Sequence, residues 1–267
     1  MTTPIPVEGF ELLHLTFLGV EREVYRAGTG PGVIVMHEIP GITPEVARFA
    51  RFVRDAGFTV FMPNLFGTPN RPMTKPYALA EIARTCLNRE FRIFAADSTS
   101  PIIDWLRALC AAAHAELGGP GVGAIGMCMT GNFALALMVE PSMMAPVLSQ
   151  PSLPAGITRR QRSALHLSPE DLVIVKRRSK EEGVPLLAMR FTEDPVCRKE
   201  RFDRLRSELG SGVETIEIDS SPGNAHRIPR TAHSVVTTDL VDDAGHPTRV
   251  ALDRVLSFFR ERLSPAA

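Results

Sequence analysis

Cysteine is scarce in this chain: four in 267 residues, Cys86, Cys110, Cys128 and Cys197, with no C-x-x-C pair. The spacing on which a zinc or thioredoxin-like site rests is therefore missing. A chain of this length, expected in a reducing compartment, also has no need of a disulfide framework. Charge of one sign is lacking too, since thirty Lys and Arg balance thirty Asp and Glu. No polybasic face follows, which argues against nucleic acid or an anionic membrane as partner. No apolar run approaches the length of a bilayer span. Met1 to Phe10 holds no charged segment followed by an apolar one, which predicts a cytoplasmic protein. Repeats, low-complexity stretches and long linkers are absent, so residues 1–267 are expected to form a single domain. What remains, 44% hydrophobic and 22% charged residues, is enough apolar material to bury a sizeable core.

Strand and helix signals alternate from end to end. Leu12–Leu18 and Glu21–Arg26 around Gly19 predict a β-hairpin. Gly32–His37 is apolar on both faces, as in a central parallel strand. Thr43-Pro44 suits the start of a helix that ends at Gly57, and Phe58–Pro63 is the next strand. Gly67–Pro76, with three prolines, predicts a loop, and Leu79–Asp97 an ill-defined helical region. Asp97 or Ser98 would cap a helix reaching about Leu117. Strands follow at Val122–Met127, Ala145–Gln150, Pro185–Phe191 and Val213–Ile218. Helices follow at Asn132–Val139, from Ser168, at Arg198–Leu209, and from Pro247 through Phe259. This pattern predicts an α/β fold, a mostly parallel doubly wound sheet with helices on both faces. Two irregular segments, Gly67–Ser100 and Gln150–Pro169, could shape a pocket at the strand C-terminal ends.

The sharpest local signal is Gly126-Met127-Cys128-Met129-Thr130-Gly131, between a buried strand and an apolar helix. A nucleophile on a tight strand-to-helix turn needs small flanking residues. A thiol there sits at a helix N-terminus, where the dipole favours thiolate. The competing reading is a buried cysteine at an ordinary βα turn. Downstream, Asp194 follows the Pro185–Phe191 strand and could orient a histidine, with Glu193 as its rival; either could instead cap the next helix. His233 precedes the last helix, with His226 and His246 as competitors. Upstream, Glu38 directly follows a buried strand, where a carboxylate could hold or receive the thiol proton; otherwise it braces a loop.

The order nucleophile, acid, histidine is that of the α/β-hydrolases. HEIPG at 37–41, GFTVFMPNLFG at 57–67, GMCMTG at 126–131, TEDPV at 192–196 and AHS at 232–234 together resemble the dienelactone hydrolase family of that fold. The resemblance implies a Cys128–His233–Asp194 triad and a Glu38 that helps ionise the cysteine. The fold implies an oxyanion hole from the backbone N–H groups of Ile39 and Met129. It also implies hydrolysis of a small-molecule ester or lactone, of which the family's enol-lactone is the usual example, without metal or organic cofactor. The expected oligomeric state is a monomer or weak homodimer.

The chain departs from the family at several points. Thr237 stands where dienelactone-cleaving members carry an arginine that meets the glutamate and the substrate carboxylate. Arg84, Arg89 and Arg92 are candidates for a second family arginine. Thr130 replaces a glycine, and the 238–246 stretch has no family counterpart. The alternatives are a general carboxylesterase or thioesterase of the same fold, and a non-catalytic relative that binds a small carboxylate.

Overall fold

The computed structural model describes residues 6–88, 90–91, 99–153 and 158–264. An antiparallel hairpin of β1 (Glu11–Phe17) and β2 (Val20–Ala27) opens the chain. Its two-residue turn, Leu18-Gly19, has both φ angles positive, at 52° and 76°. That is the turn whose twist matches the flanking strands. The hairpin docks on β4 (Thr59–Pro63), and β3 (Gly32–Met36) lies between β4 and β5 (Val122–Met127). β6 (Met143–Ser149), β7 (Leu186–Phe191) and β8 (Val213–Ile218) complete one eight-stranded sheet ordered β1-β2-β4-β3-β5-β6-β7-β8. Every pairing beyond β2–β4 is parallel.

The eight helices among the described residues are α1 (Pro44–Asp55), α2 (Lys75–Leu87), α3 (Ile102–Leu117), α4 (Gly131–Ala136), α5 (Arg159–Ser163), α6 (Pro169–Lys180), α7 (Lys199–Leu209) and α8 (Pro247–Leu263). Alternation along β3 divides the core. Val33 and Val35 join Phe49 and Val53 of α1 and Leu252, Val255 and Phe259 of α8 on one face. Ile34 and Met36 join Leu106 of α3, Phe133 of α4 and Phe202 of α7 on the other. Both faces are covered, so the central strands read as unbroken apolar runs.

Three helix starts depart from expectation. The prolines of 67–76 were expected to keep that stretch a loop, yet α2 begins at Lys75 with Thr74 capping the Tyr77 N–H. Pro76 sits in the first turn, where a missing N–H costs nothing. The expected caps of α3, Asp97 and Ser98, lie outside the described residues; α3 starts after Pro101 without a side-chain cap. Within 150–169, read as irregular, Thr158 and Gln161 form a capping box that starts the short α5. Among the described residues, no helix is long and apolar enough to cross a membrane.

Candidate active site

The C-terminal ends of β3, β5, β6 and β7 converge, and each hands a polar residue to one place. β5 ends in the elbow. Cys128 has φ +55°, in the left-handed region that non-glycine residues seldom occupy. Backbone held in that region is strained and persists only when its surroundings fix it. Here the fixing is explicit. A Cβ on Gly126 would lie 2.0 Å from the Thr130 carbonyl oxygen, so only glycine admits the turn. A Cβ on Gly131 would meet the Pro151 Cα at 2.9 Å.

Thr130, read from sequence as a flaw in the motif, is fully buried and acts as its clasp. Its Oγ1 accepts the Met127 N–H at 2.9 Å and faces the Met36, His37 and Met127 carbonyls at 3.0, 3.1 and 3.0 Å, so the hydroxyl sits between the turn and the end of β3.

The Cys128 sulfur is partly exposed and accepts a hydrogen bond from Ser152 Oγ at 3.2 Å. Ser152 returns to the elbow through its own N–H, which donates to the Cys128 carbonyl at 3.0 Å. His233 comes from the last loop close enough to Cys128 for charge on the sulfur to act on its ring. Its Nδ1 donates to Asp194 Oδ2 at 2.7 Å. Asp194 is buried at the end of β7, and its other oxygen accepts the N–H groups of Val196 and Cys197 at 2.8 and 3.0 Å. Burial pushes the His233 imidazole down, but the influence of Cys128 and the hydrogen bond with Asp194 outweigh it. The net effect holds His233 well above the usual histidine range.

The rival acid and histidines point elsewhere. Glu193 faces outward to Arg230 at 3.2 Å. His246 caps α8, accepting the Thr248 N–H, and the exposed His226 packs edge-on against it.

The remaining candidates come from the β3 loop. The Ile39 and Met129 N–H groups, one after β3 and one leading the turn after Cys128, donate to no acceptor among the described residues. For Met129 that is the usual state of the first amides of a helical turn, whereas Ile39 lies in a reverse turn closed by the Gly41 N–H on the Glu38 carbonyl. His37 is fully buried and pushed down to about 4 by burial, against a hydrogen bond to the Glu38 carbonyl. Its Nδ1 faces that carbonyl at 3.1 Å and its Nε2 accepts the Leu65 N–H at 3.0 Å, so it stays neutral and joins two loops.

Glu38 does not hydrogen-bond Cys128. Gln150 Nε2 and Ser234 Oγ donate to its Oε2 at 3.2 and 2.7 Å, and Thr237 Oγ1 donates to Oε1. Burial raises this carboxyl, and nearby His233 and the three donors pull it back only in part. The residue that replaces the family's arginine is thus a direct neutral partner of Glu38. Arg84 is an exposed partner of Glu81 on α2, and Arg89 and Arg92 lie outside the described residues.

Sequence reasoning missed a cation beneath the elbow. Arg201 of α7 is buried and donates to Asn132 Oδ1 at 2.6 Å and to the Ala164 and Gln161 carbonyls. Asn132 in turn donates to the Met129 and Ser152 carbonyls at 3.0 and 3.2 Å. Burial lowers the Arg201 guanidinium to about 10, with Cys197 and Cys128 opposing. Nothing in the local sequence marks Arg201 among the arginines of α7. The other cysteines are unlike Cys128. Cys110 and Cys197 are fully buried, and burial drives both thiols up. Among the described residues no cluster of metal ligands occurs.

The strand order, the elbow after β5 and the acid after β7 define the α/β-hydrolase fold. The family model described as the dienelactone hydrolase family matches residues 20–263, so the chain belongs to that family of hydrolases. Solved structures with the same fold include a dienelactone hydrolase from Anabaena variabilis (15% identity, 96% of this chain and 98% of that one, TM-score 0.59). A dienelactone hydrolase-like promiscuous phosphotriesterase from metagenomic libraries is similar (17% identity, 96% and 98% covered, TM-score 0.61). So is an esterase from Pyrococcus furiosus (15% identity, 96% and 93% covered, TM-score 0.57). Among curated proteins none matches the sequence significantly.

Proposed function

We propose that this protein hydrolyses a small ester or lactone through Cys128 as nucleophile. The observation that carries the reading is a cysteine held at positive φ on the elbow, with a nearby His233 whose Nδ1 is hydrogen-bonded to the buried Asp194. Nε2 of His233 takes the thiol proton while Asp194 fixes the tautomer and favours the imidazolium. The sulfur adds to the carbonyl carbon, and the oxygen that gains charge is met by the Ile39 and Met129 N–H groups. Collapse expels the alcohol oxygen, which takes the proton from His233 and leaves a thioester on Cys128. Water, deprotonated by His233, adds to the thioester, and collapse releases the acid and restores the thiol.

Glu38 enters as a buried carboxyl near His233, held by three neutral donors, rather than as the group that takes the thiol proton. Among the described residues its hydrogen-bond partners are all neutral, with no Arg or Lys there to meet a substrate carboxylate. That favours a neutral ester, and with it the general carboxylesterase reading, over a carboxylated dienelactone. An amide is a poor substrate, because the tetrahedral adduct would expel the thiolate sooner than the amine.

The test uses p-nitrophenyl acetate and dienelactone, both followed by absorbance, with intact-mass detection of an acetyl group on the protein. The expected result is hydrolysis of the acetate in preference to dienelactone, an acetyl adduct on Cys128, and loss of both in Cys128→Ala. Unchanged hydrolysis in Cys128→Ala would rule out this nucleophile. A strong preference for dienelactone would reverse the substrate reading.

A further inference from the structure

We propose that Asp239 is a positioning residue: its carboxylate holds the backbone that carries His233, keeping the imidazole aligned between Asp194 and Cys128. This rests on the role given above to His233. Asp239 lies in the 238–246 stretch, on the loop that leads into α8. One of its oxygens, Oδ2, accepts the N–H groups of both His233 and Ser234, each at 2.9 Å. Two successive amides converging on one carboxylate oxygen fix the peptide plane between them, and with it the direction in which the His233 side chain leaves the chain. Bonds to a charged acceptor are stronger than neutral ones.

The ring is closed from the other side. The Ser234 carbonyl accepts the Asp239 N–H at 3.0 Å and the Thr237 N–H at 3.3 Å. No helix or strand does this work, because residues 219–246 lie between β8 and α8 without either. A loop histidine without such an anchor would be free to leave its partners. The same closed loop delivers the Ser234 and Thr237 hydroxyls to Glu38. One carboxylate therefore sets the place of the base and of two of the three Glu38 donors. Its partners are amides rather than cations, so its contribution is geometric.

The experiment compares wild type, Asp239→Ala, Asp239→Asn and His233→Ala with p-nitrophenyl acetate. Alongside it, the low-field proton NMR signal of the His233–Asp194 hydrogen bond is recorded. Asp239→Ala is expected to lose about tenfold to a hundredfold in kcat with little change in KM, as misplacing a reacting group by about 1 Å does. Its low-field signal should broaden or vanish while the circular dichroism stays native. Asp239→Asn keeps an acceptor oxygen without the charge, and should recover most of the rate and the signal. A folded Asp239→Ala with wild-type kcat and an intact signal would overturn the proposal.

Amide exchange in the wild type gives a check that no variant's folding can obscure. The His233 and Ser234 N–H groups should be protected, and exchange at the rate of open loop amides would refute the clamp. The two readings fail separately. Full activity in His233→Ala removes the role of His233 itself. An inactive His233→Ala beside a fully active Asp239→Ala removes only that of Asp239.

Discussion

Replacing Thr130 with valine removes one hydroxyl and almost no volume, which isolates the clasp under the elbow. The hydroxyl accepts the buried Met127 N–H and donates its one proton among the Met36, His37 and Met127 carbonyls. Without it, the Met127 N–H is left unpaired in the core, at a cost of about 1–3 kcal/mol, and one donated bond of about 1 kcal/mol is lost. A total of about 2–4 kcal/mol lowers the melting temperature of a chain this size by on the order of 5–10 °C. The elbow also loses its tie to the loop that carries Ile39. A shift of about 1 Å in the sulfur or the oxyanion donors lowers kcat/KM by about a hundredfold. Thermal unfolding by circular dichroism and p-nitrophenyl acetate hydrolysis read the two effects, and Thr130→Ser, which restores the hydroxyl, should recover most of both. A Thr130→Val protein with wild-type melting temperature and kcat/KM would show that the hydroxyl does not hold the turn.

Gly126→Ala should be worse than Thr130→Val, because its Cβ would strike backbone that cannot rotate away. The expected loss is about 3 kcal/mol or more of stability in chemical denaturation, with hydrolysis abolished. Asp194→Asn should lower kcat by orders of magnitude, whereas Glu193→Gln, which breaks only a surface ion pair with Arg230, should leave it nearly unchanged. His233 sets a pH dependence of stability. Its folded value is raised, so its contribution is complete below the unfolded value near 6.5 and is lost as pH rises through the folded one. Denaturation of wild type and Asp194→Asn from pH 6 upward should therefore show a stability gap that narrows with pH; a gap that widens would contradict the pairing. Glu38→Gln should also flatten the pH dependence. Its raised carboxyl contributes stability that is complete below the unfolded value and is lost as pH rises through the folded one.

Much of this was legible in the residues. Alternating apolar runs and helix starts marked the strands, and Gly126 and Gly131 marked the turn, because tight backbone geometry leaves a local trace in small residues. Chain order placed a histidine after the acid, the AHS resemblance at 232–234 pointed to His233, and the structure gives His226 and His246 other contacts. Glu193 and Asp194 could not be told apart from their neighbours alone, since adjacent residues share a loop and only the burial of one decides between them.

The amino-acid sequence by itself determined the fold class, the dienelactone hydrolase family and the candidate thiol, and narrowed the acid to two neighbouring residues, since these are written in local pattern and order. Only the tertiary structure decided what surrounds them. It turned Thr130 from a departure into a clasp and gave Glu38 three neutral partners from two distant loops. It also brought Arg201 beneath the elbow and set Asp239 on the backbone of His233. Hydrogen bonds between residues far apart in the chain depend on where the sheet brings the loops together, and no short pattern of residues records that distance.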